Sequence, residues 1–111
     1  MKYGKRPETV TEQNVSDYRL SEAAKEDLIG IALYGDERFG ASQSNRYRDQ
    51  LKHRFSVLAA QPLLAPTVEY ISAGYRRSVC GVHSIYYRIE GDGIEIIRVL
   101  GRQDTKFIGK N

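Results

Sequence analysis

The residues able to do chemistry are few, and most of them are arginines and tyrosines. The chain of 111 residues has 2 histidines and 1 cysteine. Cys80 and His83 lie close together along the sequence, but a cysteine nucleophile needs its thiol to meet the imidazole, and neighbours across a turn need not meet. The plainer reading makes Cys80 a small strand residue in a reducing compartment and His83 a polar residue tying down the turn at Gly81. His53 sits among Arg46, Arg48, Lys52 and Arg54 on what reads as a solvated helix face. A single cysteine excludes an internal disulfide framework and a cysteine-built zinc site, and no H-x-x-x-H pair is present. Neither G-x-x-x-x-G-K nor G-x-G-x-x-G occurs. No metal and no cofactor are expected.

What stands out is a concentration of arginine and tyrosine in Tyr75-Arg76-Arg77, Tyr86-Tyr87-Arg88 and Arg98. Strand alternation would place Tyr86 and Arg88 on one face, and Arg98 would join them across a hairpin at Gly91-Asp92-Gly93. Such a face suits contact with phosphate, carboxylate or nucleobase, because guanidinium is a planar, permanently charged donor fork. It suits equally an ordinary solvated face whose arginines pair with Glu90 and Glu95.

These residues need elements to hold them. Tyr18-Arg19-Leu20, within residues 16–20, reads as a short strand, and Ser21 as a helix N-cap ahead of Glu22, Glu26 and Asp27. Leu20, Ala24, Leu28, Ile31 and Gly35 recur at helical steps, and Ile29, Ala32 and Leu33 widen the stripe, so this helix is expected to be buried on more than one side. Gly40 stops it. A second helix is predicted from near Ser42 to Ala60, before Pro62, with Tyr47, Leu51, Phe55 and Leu58 as its apolar line. After the Gln61–Thr67 loop the pattern alternates. Strands are predicted over Tyr75–Cys80, His83–Glu90 and Ile94–Leu100, the last two joined by the glycine hairpin. Ile85, Tyr87 and Ile89 should share one face of the middle strand, and in the last strand Ile97 and Val99 should oppose Ile96, Arg98 and Leu100. The fold class is therefore α+β: an N-terminal strand, an α-helical hairpin, then a three-stranded antiparallel meander whose edge the first strand joins. One face of the sheet packs on the helices, and the other is polar.

Composition agrees. Hydrophobic residues are 41% and charged residues 28%, with a net charge of +3 and a pI near 9.1, too weakly basic to demand nucleic acid. No apolar run is long enough for a membrane span and the N-terminus lacks a signal core. The expectation is one soluble, cytoplasmic domain over residues 15–104, with a flexible extension over 1–14 and a C-terminal tail over 105–111.

The stretch from Ala73 to Ile89 resembles the G-Y-R-R-x-x-x-G-x-H-x-I-x-Y-R block of ParE toxins. The segment Tyr18-Arg19-Leu20-Ser21-Glu22-Ala23-Ala24-Lys25-Glu26-Asp27-Leu28 resembles their opening Y-x-L-S-x-x-A-x-x-D-L, and Ile94–Leu100 their closing I-x-I-x-R-V-L. The resemblance implies the RelE/ParE-like fold and a toxin of a type II toxin–antitoxin system. It implies that this toxin inhibits DNA gyrase by binding, without catalysis of its own. A ParD-like antitoxin would neutralise it in a hetero-oligomer and alone would bind operator DNA. The exposed sheet edge and the groove beside the helical hairpin are its expected seat, and the chain's C-terminal end is implicated in activity.

The working surface is expected to be Arg76, Arg77, Tyr86, Arg88 and Arg98, such that Arg77→Ala or Arg98→Ala lowers toxicity with little effect on stability. The rival from the same superfamily is a ribosome-dependent mRNA endonuclease, to whose phosphate arginine Arg77 could correspond. Such an enzyme often carries a His or Tyr general acid just after R-V-L. Here Gly101 and Arg102 follow, and neither donates a proton at neutral pH. Many ParE proteins also have a histidine where this chain has Gly101. Glu69 is an unanchored candidate base. A toxin fold retained as an inactive binding module is the third alternative.

Overall fold

The computed structural model describes residues 17–101, and both the N-terminal extension and the C-terminal tail expected from the sequence lie outside them. The elements run β1 (Tyr18–Leu20), α1 (Glu22–Phe39), α2 (Ala41–Ala60), β2 (Arg76–Cys80), β3 (His83–Glu90) and β4 (Gly93–Gly101). One sheet carries all four strands in the order β1-β4-β3-β2. The meander β2-β3-β4 is antiparallel, and β1 lies parallel to β4, with Tyr18 opposite Ile94 and Leu20 opposite Ile96.

Ser21 starts α1 and also anchors it. Its Oγ accepts the Ala24 N–H at 3.0 Å and donates to the Ile97 carbonyl at 2.8 Å, so the helix cap is bonded to the last strand. Gly40, at φ 87°, turns the chain directly from α1 into α2. The two helices meet closely at Gly35, where an added Cβ would stand 2.6 Å from Ser44 Oγ. A larger residue there would push the helices apart.

The main core lies between the hairpin and one sheet face. Ala24, Leu51, Phe55 and Leu58 pack on Ile85, Tyr87, Ile96 and Val99, with Tyr18, Leu28, Ile31 and Tyr47 around them. The α2 stripe read from the sequence is thus the core stripe. The α1 reading holds only on one side. Ile29 and Leu33 are 60% and 67% exposed, because β4 and α2 cover a single face of the helix and no described element covers the other.

Two further departures bear on function. The connection between α2 and β2 folds over the supposedly polar sheet face, where Val68, Ile71 and Tyr75 enclose Tyr86, Ile97 and Leu100 in a second apolar cluster. Consecutive residues Ser84, Ile85, Tyr86 and Tyr87 of β3 are consequently all buried. In β4 the register slips: Tyr86 lies opposite Arg98 but Tyr87 opposite Ile96, leaving Ile97 as an extra residue. This bulge lets Ile96 and Val99 both face the core, which strict alternation from Ile97 to Val99 forbids.

Candidate functional site

The five residues expected to form one surface are each placed in a different setting. Tyr86 is fully buried, and its hydroxyl finds no hydrogen-bond partner among the described residues. Burial pushes its pKa up, an effect that nearby Arg77 and Ser84 partly offset. Arg76 straps the α2–β2 connection, donating from Nη1 to the Ala65 carbonyl at 2.7 Å. Arg88 lies on the solvent side and pairs with Glu95, while Arg19 of β1 pairs with Glu90 and Glu95. This is the solvated ladder of cross-strand ion pairs that the sequence left open as one reading. Arg77, half-buried, donates from Nε to Ser84 Oγ at 2.9 Å.

Arg98 departs furthest from the expected open face. Its Nε and Nη2 donate to the two carboxylate oxygens of Asp27, both at 2.8 Å. Asp27 Oδ2 also accepts the Val99 N–H at 2.9 Å. The bulge at Ile97 lets Arg98 reach α1 despite lying opposite outward-facing Tyr86. The pair is a two-pronged brace between α1 and β4, largely removed from solvent, and such geometry is the strongest form an arginine–carboxylate contact takes.

Tyr47, read from the sequence only as part of a core stripe, organises the turn that holds His83. Its hydroxyl lies 2.7 Å from His83 Nδ1 and 3.2 Å from the Cys80 carbonyl, and accepts the Val82 N–H at 3.1 Å. One assignment satisfies all four groups: Nδ1–H and Val82 N–H donate to the hydroxyl oxygen, and the hydroxyl donates to the carbonyl. Gly81 permits this, since its φ is +61° and an added Cβ would come within 2.7 Å of the Tyr47 hydroxyl. Burial lowers the His83 pKa from 6.5, with Asp27 pulling weakly the other way, so the imidazole is neutral at pH 7. His83 therefore ties the turn, as the plainer reading held. Cys80 is a buried strand residue joined to His83 through its carbonyl and Tyr47. No signal in the sequence marks the Tyr47 contact, because the residues are 36 apart.

Two open grooves flank these contacts. One, of 590 Å³, runs between α1 and the end of β4 and is lined by Glu26, Gly30, Tyr34, Val82, His83 and Gly101. The other, of 780 Å³, lies at the β2 edge and includes Arg54 and Arg77. The expectation of a merely solvated basic face on α2 fails at Arg54, whose Nη1 donates to Ser78 Oγ at 2.8 Å and the Val79 carbonyl at 2.9 Å. It fails also at Arg48, which bonds Ser44 and pairs with Asp36. Among the described residues, no group of three or more His, Cys, Asp and Glu could hold a metal ion. No helix there is long and apolar enough to cross a membrane.

A helical hairpin laid on a four-stranded sheet is the RelE/ParE-like toxin fold. A solved chain from the chromosomal ParDE toxin–antitoxin system of P. aeruginosa shares the fold at a TM-score of 0.68, with 16% identity over 78% of this chain and 96% of that one. Residues 18–105 match the family described as the ParE toxin of the type II toxin–antitoxin system parDE. Toxin ParE1 of Caulobacter vibrioides is 41% identical over 83 residues, covering 75% of this chain and 85% of its own length. Toxin ParE1 of Mycobacterium tuberculosis is 36% identical over 86 residues, covering 77% and 88%. The chain belongs to the ParE toxin family.

Proposed function

We propose that this toxin stops replication by binding DNA gyrase in the cytoplasm, without chemistry of its own, and that a ParD-like antitoxin neutralises it. The observation that carries the reading is the family match, which runs through every described element from β1 to the end of β4. Arg88, which is exposed, and Arg77, which lines the β2-edge groove, are the members of the expected surface that meet the target. Arg76, Tyr86 and Arg98 serve the target by shaping the surface around them. The apolar outer face of α1, with Ile29, Leu33 and Tyr34 exposed beside the 590 Å³ groove, is the seat for an amphipathic antitoxin helix. Operator DNA reaches the toxin only through that partner.

Among the described residues, the ribonuclease reading finds no proton donor at the position after Arg98-Val99-Leu100, and its candidate base Glu69 is engaged elsewhere. Gly101 lies opposite His83 in the β3–β4 ladder, and His83 is neutral with Nδ1 already engaged. Glu69 accepts the Gly74 N–H at 3.3 Å and so closes a turn of the α2–β2 connection. The deciding experiment is a supercoiling assay with gyrase, relaxed plasmid, ATP and toxin freed of antitoxin. Lost supercoiling with accumulating gyrase-linked linear DNA is the expected result. Full supercoiling at a large molar excess of folded protein sinks the reading. Ribosome-dependent cleavage is then tested, and a second negative leaves the inactive binding module.

A further inference from the structure

The β2-edge groove differs from the arginine settings that carry ion pairs. Arg19, Arg48, Arg88 and Arg98 each lie on a carboxylate. Arg54 and Arg77 line the groove together, and among its described lining residues there is no Asp or Glu. Each guanidinium is held from one side, Arg54 by Ser78 and Val79 and Arg77 by Ser84. A guanidinium has five N–H donors, so both keep donors beyond those bonds. The walls between them are aliphatic, formed by Val57, Leu64, Val68 and Val79. The surroundings expose more apolar surface, with Leu63 at 71%, Leu64 at 57% and Tyr70 at 81%. Apolar surface gathered around paired positive charge is the composition of a protein-recognition patch.

We propose that this groove docks a protein segment in which aliphatic side chains alternate with carboxylates, the carboxylates seated on Arg54 and Arg77. Charge complementarity selects an anionic occupant. The mostly aliphatic walls, with Tyr70 the one aromatic among the described lining residues, favour a polypeptide over nucleic acid, which would want successive aromatic platforms and a longer basic track. Strand addition contributes little, because the edge is already blunted: Pro66 takes the Arg77 N–H and Arg54 occupies the Val79 carbonyl. Side chains therefore carry the recognition. The proposal concerns a surface apart from the α1 groove and does not depend on gyrase being the target.

The test is a titration of the 15N-labelled full chain with the peptide acetyl-Gly-Ser-Leu-Glu-Leu-Glu-Gly-Ser-amide, followed by amide chemical shifts. Saturable shifts at Leu64, Val68 and Val79 are expected, with a Kd at or below about 1 mM. The twin peptide with glutamine for glutamate should bind roughly tenfold more weakly, a change of about 1.4 kcal/mol. Arg77→Ala should weaken binding similarly. Leu64→Asp, at an exposed position, should do so while the unperturbed part of the spectrum reports an intact fold. Equal binding of both peptides overturns the proposal. So does the absence of saturable shifts in the groove, or tighter occupation of the same groove by a dT8 oligonucleotide.

Discussion

The brace at Asp27–Arg98 and the β2-edge groove use the same side chain for opposite purposes. At the brace, both carboxylate oxygens, two guanidinium nitrogens and a backbone N–H satisfy one another between α1 and β4. At the edge, the hydrogen-bond partners of Arg54 and Arg77 among the described residues are hydroxyls and a carbonyl, with apolar walls around them. What separates the two is the presence of a carboxylate. With it, the arginine's charge is spent on holding the fold; without it, the charge remains available to a partner. An arginine in a sequence therefore cannot be assigned to surface or scaffold until its acid has been located.

That contrast can be broken most sharply at the brace. Asp27→Ala leaves Arg98 and the Val99 N–H without their acceptor in a mostly buried setting, which costs about 3 kcal/mol. Thermal unfolding should then shift down by roughly 12–20 °C. Arg98→Ala should fall into the same range, so its loss of toxicity would follow unfolding rather than a missing contact with the target. A drop of only a degree or two in either variant would show that the brace is not structural. Expression of Arg77→Ala provides the opposite arm, since its fold should hold.

An intermediate effect belongs to the His83 turn. The folded state holds His83 neutral below its ordinary pKa of 6.5. The unfolded chain then takes up the proton more readily, so stability is full above about pH 6.5 and declines as pH falls through the lower folded value. His83→Asn should flatten the acid limb of a Tm-versus-pH curve between pH 7 and 5. An unchanged slope would place the acid sensitivity elsewhere. The smallest effect is expected at Arg88. Its pair with Glu95 is solvent-exposed on the arginine side, and Arg88→Ala should change stability by no more than about 0.5 kcal/mol in chemical denaturation. A loss several times larger would mean that the cross-strand ladder with Arg19 acts as one network.

The elements themselves were legible because their signals are local. Ser21, Gly40 and the Gly91-Asp92-Gly93 turn each act within a few residues, and the stripe from Tyr47 to Leu58 repeats at helical spacing. The placement of the site residues was not legible, for three physical reasons. Asp27 and Arg98 are 71 residues apart, and nothing in either neighbourhood marks the other. The bulge at Ile97 inverts the alternation that had assigned Arg98 to the open face. Val68, Ile71 and Tyr75 stand at steps of three and four in a connection that forms no helix, so their spacing does not announce the cover they lay over Tyr86. Conversely, periodicity finds the apolar residues of α1 without telling how many sides will be covered, which is why Ile29 and Leu33 were placed inside.

The position of β1 carries a consequence for how the toxin comes into being. Its hydrogen-bonding partner is the last strand, so Tyr18 waits for Ile94 and the N-terminal cap at Ser21 waits for Ile96 and Ile97. Contacts of such sequence separation form slowly and reward the chain only once both ends are present. On the ribosome, the helical hairpin emerges early but its sheet cannot close until β4 has been synthesised. A nascent chain interrupted before β4 has neither the brace nor the closed sheet. Translation thus completes the described sheet in one late step, once β4 has left the ribosome.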